Sequence, residues 1–259
     1  LQASIATQDA QTQYQTISTE IQKATNKARF YPALAATGTD ESVAYLQQTW
    51  EKEKSAKALE ALKKSNNYKA AAPLLKAANA GDEDALAKYV GLVNRYETNM
   101  DNRSARLISA ISQAKSNNGK ANVINALSNT PTRNAFLTVG KYLDDKGVSY
   151  QAAVAEKNIL KQTQEDIEYD IVKENMTKAI NIYQAHGTAD DGYAVDEIKK
   201  MLAEMQPSPI FTLSDEEKKQ GFEILFDGTN LDKWTGNKVG YVPINGCIYV
   251  TANYGNESN

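Results

Sequence analysis

The sequence predicts a mainly α-helical chain that changes to β structure over about its last fifty residues. Two observations indicate this. From Leu1 to about Gln206, Ala, Lys, Gln, Glu and Leu dominate, and these side chains fit a helix at little entropic cost. After that point only one alanine remains, Ala252, while six of the fourteen glycines lie from Gly221 onward. The composition therefore separates a long helical region from a short C-terminal segment rich in turn and strand residues.

The totals exclude several classes of function. The formal net charge of the 259 residues is -3 and the pI is about 5.4, so no strong field favours nucleic acid or an anionic membrane as a partner. No window of eighteen apolar residues occurs, and we expect no transmembrane segment. The start "LQASIATQDAQ" lacks Met and the pattern of a signal peptide, which fits a mature or trimmed N-terminus.

Cysteine and histidine each occur once, as Cys247 and His186. They cannot form an internal disulfide or a zinc site of thiolate and imidazole ligands. A hydrolase of the Ser-His or Cys-His type would have to use His186. No phosphate-binding loop is present either, so the sequence shows no evident metal site and no evident cofactor site.

Short polar breaks divide the helical region into helices of roughly 12 to 25 residues with apolar stripes at helical spacing. Thr130 before Pro131 has the pattern of a cap and first helical residue, and Gly187 suits a left-handed C-cap. The breaks lie at residues 37–42, 64–68, 79–84, 99–104, 115–119, 129–132, 144–149 and 186–192.

Two segments, residues 73–96 and 136–160, share one layout: an apolar helix, an Asp-containing turn and an Ala-rich helix. A single hairpin of this kind cannot bury its apolar stripe alone, but stacked neighbours can. The layout resembles HEAT-type helical repeats over residues 40–206, with the first helix of the chain capping the array. Such arrays offer surfaces on which protein partners bind.

The prolines of "QPSPIF", residues 206–211, end the helical region. We predict a helical domain over residues 1–206, a linker with a short helical turn over residues 207–221, and a β segment over residues 222–259. Ser214 and Glu217 have capping-box spacing, and Asn245-Gly246 is a strong hairpin signal. The predicted strands are residues 222–226, 241–244 and 247–252, with a turn at Asp227-Gly228.

The C-terminal segment resembles the start of the 3-keto-disaccharide hydrolase family. The matching positions are Phe222, Leu225, Phe226, Asp227, Gly228, Leu231 and Trp234, followed by Tyr241, Asn245 and Gly246. The resemblance implies the beginning of a concanavalin-like β-sandwich, in a protein that cleaves glycosidic bonds of 3-keto sugars and is exported to the periplasm or cell surface. Helical repeats in front of such a domain also occur among members of this family.

A closed sandwich needs on the order of a dozen strands, and only about three are predicted here. We therefore expect a truncated domain, inactive alone, whose catalytic residues lie beyond Asn259 and are unknown. The three strands would pack on the helices, borrow a partner or belong to a longer chain. The alternative is a non-catalytic scaffold that binds proteins or glycans through the repeats.

Five candidate features have both a functional and a structural interpretation. Trp234 is the candidate substrate-binding residue, as a platform for a sugar ring, although its motif position favours a core residue. Asp227 and Asp232 could be a glycosidase pair, but turn residues are favoured. We interpret the acids at 165, 166 and 168 as the first turn of a helix, His186 as a helix-terminal residue and Cys247 as a buried strand residue.

Overall fold

The computed structural model describes residues 7–205, 207 and 209–250. It confirms a mainly helical chain with a short antiparallel pair of strands near its C-terminus. The chain divides into two compact units, Leu1–Thr130 and Pro131–Asn259. The two units are groups of residues that contact one another, and they do not test the predicted domain boundaries at residues 206 and 221. Those boundaries stay predictions from the sequence.

The first unit is built from helices joined by short polar breaks. Its α-helices are α1 (Ala10–Lys23), α2 (Tyr31–Thr37), α3 (Asp40–Glu53), α4 (Ala56–Lys64), α5 (Ala71–Asn79), α6 (Glu83–Tyr96), α7 (Met100–Ile111) and α8 (Asn117–Leu127). Two 3₁₀ turns, Lys27–Phe30 and Tyr68–Ala70, lead into α2 and α5. The predicted hairpin at residues 73–96 is confirmed, because α5 and α6 pack together around the fully buried Leu74 and Leu86.

Polar residues at the breaks between helices cap several of these helices. Each of five polar residues accepts a hydrogen bond from a backbone N–H of the following first turn, which satisfies a donor that the helix itself leaves free. They are Thr39, Asp82, Asn99 and Ser116, which lie in predicted breaks, and Ser55, which lies at a break that the sequence analysis does not predict.

The second unit carries the remaining helices and the strands. Its elements are α9 (Arg133–Gly140), α10 (Ser149–Gln162), α11 (Tyr169–His186), α12 (Ala189–Glu204), α13 (Asp215–Lys219), β1 (Tyr241–Ile244) and β2 (Cys247–Val250). The second predicted hairpin is present as α9 and α10, and α10, α11 and α12 pack in sequence. Gly187 ends α11 with a φ of 78°, and Ser214 with Glu217 forms the predicted capping box of α13.

Several sequence interpretations are wrong in detail. The described α-helices run from 5 to 18 residues, and several of them are shorter than the predicted range. Thr132, not Thr130, caps α9, because the helix begins two residues later at Arg133. Residues 222–226 form no strand, since the described chain offers them no partner strand. Cys247 is exposed rather than buried. The predicted end of the last strand, residues 251 and 252, lies outside the described residues.

The hairpin itself follows the sequence signal closely. Asn245 and Gly246 have φ values of 48° and 80°, the left-handed pair that a type I′ turn requires and that Asn and Gly tolerate best. The turn fixes the register, in which Ile244 faces Cys247 and Tyr241 faces Val250.

Candidate functional site

Trp234, the candidate sugar-binding residue, lies in a turn and is 38% exposed. Its backbone N–H donates to the carbonyl of Leu231 over 3.1 Å. Its ring lies 6.5 Å from the ring of Tyr241, measured between centroids. The Trp234 side chain is thus not buried among the described residues, and its interpretation as a core residue of a complete sandwich stays a prediction. An exposed indole next to a phenol suits the apolar face of a sugar.

A cavity of about 650 Å³ lies in the segment that precedes Trp234. Its walls combine the apolar side chains of Phe211, Leu213 and Phe222 with the polar side chains of Asn230 and Lys233. Ligand sites commonly have such an apolar lining with a few polar groups that fix orientation. Three positions of the C-terminal motif, Phe222, Leu225 and Asp227, are among the residues that line this cavity.

Pro209 connects this segment to both predicted turns. Gly228 has a φ of 97°, and a Cβ there would lie 2.3 Å from the carbonyl oxygen of Pro209. A Cβ on Gly246 would lie 2.4 Å from the Pro209 ring. Both glycines are therefore required by close approach as well as by backbone conformation. The linker is consequently held against the β segment.

Asp227 and Asp232 behave as turn residues. The Asp227 carboxylate accepts from the Thr229 backbone N–H at 2.9 Å and from its hydroxyl at 2.6 Å. These bonds lower the pKa of Asp227, the hydroxyl bond contributing most. The Asp232 N–H donates to the side chain of Asn230 over 2.9 Å. Asp227 is thus a turn-stabilising carboxylate with its hydrogen bonds made locally, as the structural interpretation predicts.

The hairpin is anchored to the helices through Asn245. The Asn245 side chain accepts from the Tyr169 backbone N–H at 3.0 Å and donates to the Ile167 carbonyl at 2.9 Å. On β2 the Tyr249 hydroxyl donates to Asp166, and this bond raises the pKa of Tyr249 to about 12. A cleft of about 480 Å³ opens beside the anchor, with Met201 among its lining residues.

The acids at 165, 166 and 168 do not form a first helical turn, because α11 begins only at Tyr169. Glu165 instead accepts from the backbone N–H of Arg133 at 2.6 Å, and Glu168 pairs with the Arg133 guanidinium. Asp166 binds Tyr249. Each acid is therefore committed to a partner from another element, which favours a structural role.

Asn245→Asp tests the anchor. The aspartate keeps the acceptor for Tyr169 but replaces the donor to Ile167 by a carboxylate oxygen facing a carbonyl. We expect the free energy of unfolding, measured with urea, to fall by about 1–3 kcal/mol. Asn237→Asp is the matched control, because Asn237 uses only its acceptor, toward Val239. Equal stability of the two variants would contradict the anchor.

His186 lies at the end of α11, as predicted, in a cluster that the sequence did not reveal. Its Nδ1 lies 2.7 Å from Asp191 Oδ2, and its ring stacks on Tyr150 at 3.9 Å between centroids. The Tyr150 hydroxyl donates to Asp191 Oδ1 at 2.8 Å. Asp191 is 2% exposed and forms a capping box with Thr188 at the start of α12.

Burial would raise the pKa of Asp191, but hydrogen bonds from Thr188, His186 and Tyr150 outweigh burial and lower it. The carboxylate is therefore charged and fully engaged. This cluster joins α10, α11 and α12, so the structural interpretation of His186 fits its surroundings. The signal in the sequence was the Thr188–Asp191 spacing, which is that of a capping box with Asp in place of Glu.

Glu156 is the second buried acid that sequence reasoning missed. It is 0% exposed on α10, and its Oε2 accepts from Asn175 Nδ2 on α11 at 3.1 Å. Its Oε1 has no hydrogen-bond partner in the described chain. Burial raises the pKa of Glu156 well above its usual value, which favours the neutral acid. Its position three residues after Ala153 and three before Ile159 places it on the apolar stripe, and that spacing was the available signal.

Comparison with known proteins does not assign the chain to a family. No protein-family model, curated protein or solved structure matches the chain. Among the described residues, no three His, Cys, Asp or Glu side chains are grouped to hold a metal ion. None of the described helices is long and apolar enough to cross a bilayer.

Proposed function

We propose that this chain is part of a carbohydrate-active protein of the 3-keto-disaccharide hydrolase type, with the helical array as its scaffold. The observation that supports this most directly is the exposed Trp234 beside Tyr241, within the segment that carries the family-like motif. The export to the periplasm or cell surface that the resemblance implies belongs to the same proposal.

In the chemistry that the resemblance implies, the substrate's own ketone activates the bond that breaks, so the surface around Trp234 has only to bind the sugar. A ketone at C3 of a sugar acidifies the proton at C2, so the glycosidic bond can break by elimination, and water then adds to the resulting enone. The catalytic residues for these proton transfers are unassigned, and no catalytic role is proposed for any residue of this chain. Its own contribution is to hold the sugar against Trp234 and to fix the β segment on the second helical unit through Asn245.

Tryptophan fluorescence tests the proposed platform directly, because Trp50 is the only other tryptophan. In a Trp50→Phe background, methyl 3-keto-glucoside should change the emission of Trp234 in a saturable manner. Trp234→Ala should weaken binding, measured by calorimetry, about tenfold or more, which corresponds to about 1.4 kcal/mol. The Trp50→Phe variant serves as the matched control and should bind like the unmodified protein. Absence of any saturable response would refute the platform.

A second candidate is a non-catalytic scaffold that binds proteins or glycans. The two packed hairpins, α5–α6 and α9–α10, favour it, because helical arrays bind partners through extended surfaces. Catalytic turnover distinguishes the hydrolase from the scaffold. A hydrolase and a glycan-binding scaffold would both bind a glycan at Trp234, but only the hydrolase would release free sugar.

A further inference from the structure

The chain contains two Asn-Gly pairs, Asn118-Gly119 and Asn245-Gly246. An asparagine before glycine is chemically reactive, because glycine has no side chain to hinder attack of its backbone nitrogen on the asparagine side chain. That nitrogen bonds to Cγ, the Cγ–Nδ2 bond breaks, and ammonia leaves with the proton of the glycine N–H. Water then opens the resulting cyclic imide to aspartate or isoaspartate. Each pair is therefore a candidate site of spontaneous deamidation.

The first pair is restrained by its own helix. Asn118 and Gly119 lie in the first turn of α8, and the Gly119 N–H donates to the Ser116 hydroxyl at 2.9 Å. The attacking nitrogen is thus committed to the helix cap, and ring closure has to change backbone dihedrals that the helix fixes. Asn118 should react slowly as long as α8 is folded, so it is an internal reference within the same molecule.

The second pair is restrained by contacts with a distant segment. The Asn245 side chain accepts from the Tyr169 N–H at 3.0 Å and donates to the Ile167 carbonyl at 2.9 Å, so both ends of its amide are held. Gly246 is buried, and a Cβ there would lie 2.4 Å from the Pro209 ring, which restricts access of base to its N–H. Ring closure has to turn the amide away from both partners. The attached hairpin therefore protects Asn245, and detachment removes that protection.

Detachment requires only a local opening. Each strand of the hairpin has four residues, and Tyr241, Tyr249 and Val250 are exposed. Besides the two bonds of Asn245, the described tie to the helical part is the hydrogen bond from Tyr249 to Asp166. Short exposed elements of this kind open without unfolding the core.

The products of deamidation do not restore the attachment. Aspartate and isoaspartate both place a carboxylate oxygen where Asn245 Nδ2 donates to the Ile167 carbonyl, so two acceptors face each other. Isoaspartate also adds one carbon to the main chain inside a two-residue turn, which changes the pairing of Ile244 with Cys247. The modified hairpin is thereby disfavoured in its attached position.

We propose that Asn245 is a deamidation site that reacts when the hairpin leaves the helices, and that its modification makes this detachment permanent. Tyr241, which lies beside Trp234, is on the detaching strand β1, so the aromatic pair is released from the helical part as well. Neither step requires a bound sugar.

Peptide mapping by mass spectrometry, on the unmodified protein kept in mildly alkaline buffer, measures deamidation at both sites in one sample. In native buffer Asn245 should react at least about fivefold more slowly than in urea, which corresponds to protection of about 1 kcal/mol. Asn118 should also be slower in native buffer than in urea. An Asn245 rate that is the same in native buffer and in urea would overturn the protection.

Tyr169→Pro isolates the anchor. Tyr169 is the first residue of α11, and Glu168 before it has an extended ψ of 125°, so proline fits there and removes the N–H that Asn245 accepts. Tyr169→Ala is the matched control, because it also removes the ring but keeps the N–H. Asn245 should deamidate about fivefold faster with proline than with alanine, as expected for loss of one hydrogen bond, and Asn118 should stay within about twofold. Equal Asn245 rates in the two variants would contradict the anchor's role.

Tyr249→Phe decides the question if proline also accelerates Asn118 by loosening the whole fold. It removes only the hydroxyl that donates to Asp166 and leaves α11 untouched. Asn245 should then react at least about twofold faster, with Asn118 unchanged. An unchanged Asn245 rate in this variant would contradict gating by detachment.

Hydrogen exchange tests whether detachment is permanent. Protein deamidated at Asn245 is separated by anion exchange and compared with the unmodified protein by NMR. The Tyr169 amide should exchange at least about fivefold faster, because its acceptor is gone, whereas the Val172 amide, which donates to the Glu168 carbonyl at 3.0 Å, should be unchanged. Unaltered exchange at Tyr169 would show that the modified hairpin reattaches, and would refute the permanent release.

Discussion

Replacing Gly140 with alanine should lower the free energy of unfolding by about 2–4 kcal/mol. An ideal Cβ at Gly140 would lie 2.3 Å from Asn175 Nδ2 and 3.4 Å from Glu156 Oε1. Neither side chain has room to withdraw, since both are buried between α10 and α11. The substitution therefore either pushes the helices apart or breaks the Glu156–Asn175 hydrogen bond, and it leaves a buried polar group without its partner.

Gly91→Ala is the matched control for this prediction. Gly91 also lies inside a helix, α6, but nothing lies within 4 Å of a Cβ built there. The control should gain up to about 1 kcal/mol from helix propensity alone. Urea unfolding of both variants measures the difference. A Gly140→Ala protein as stable as the unmodified one would show that the packing around Glu156 is looser than described.

Glu156→Gln should remove a pH dependence of stability. Burial raises the folded-state pKa of Glu156 above its usual value of 4.5, so the folded state holds this proton more tightly than the unfolded state does. Its contribution to stability is complete below about pH 4.5 and is lost as the pH rises through the folded-state pKa. Over that range the loss is up to about 1.4 kcal/mol per pH unit.

Glutamine keeps the shape and the acceptor for Asn175 but carries no titrating proton. We therefore expect the variant to become more stable than the unmodified protein as the pH rises from 5 to 8. Glu174→Gln, which removes a carboxylate on the exposed side of α11, is the control for the substitution itself. Parallel stability profiles for Glu156→Gln and the unmodified protein, from urea unfolding at each pH, would rule out a neutral buried acid.

Features set by local sequence were predictable. Asn245-Gly246 predicts its turn because the backbone conformation depends on those two residues alone. The cap at Ser214 and the C-cap at Gly187 follow from spacing within one turn of helix. Local sequence does not fix every helix start, as the error of two residues at Thr130 shows. Thr130 and Thr132 have the same capping chemistry, and Pro131 can stand before a cap as well as after one.

Features set by distant partners were not predictable. A strand at residues 222–226 needs another strand, and pattern alone does not supply it. The local pattern places the acids at 165 and 168 in a helical turn, because their partner, Arg133, is more than thirty residues away and leaves no local signal. The roles of Glu156 and Asp191 depend on contacts with side chains of neighbouring helices. Their signals, an acid on an apolar stripe and an Asp at capping-box spacing, are weak without that context.

Assay of sugar release tests the central proposal most directly. The complete protein, as its gene encodes it, is incubated with 3-keto-trehalose, and free sugars are followed by chromatography. We expect release of glucose and a 3-keto sugar, and a loss of that activity in Trp234→Ala that exceeds any loss in Trp50→Phe. Retained glycan binding without any sugar release would contradict the hydrolase and leave the binding scaffold as the function.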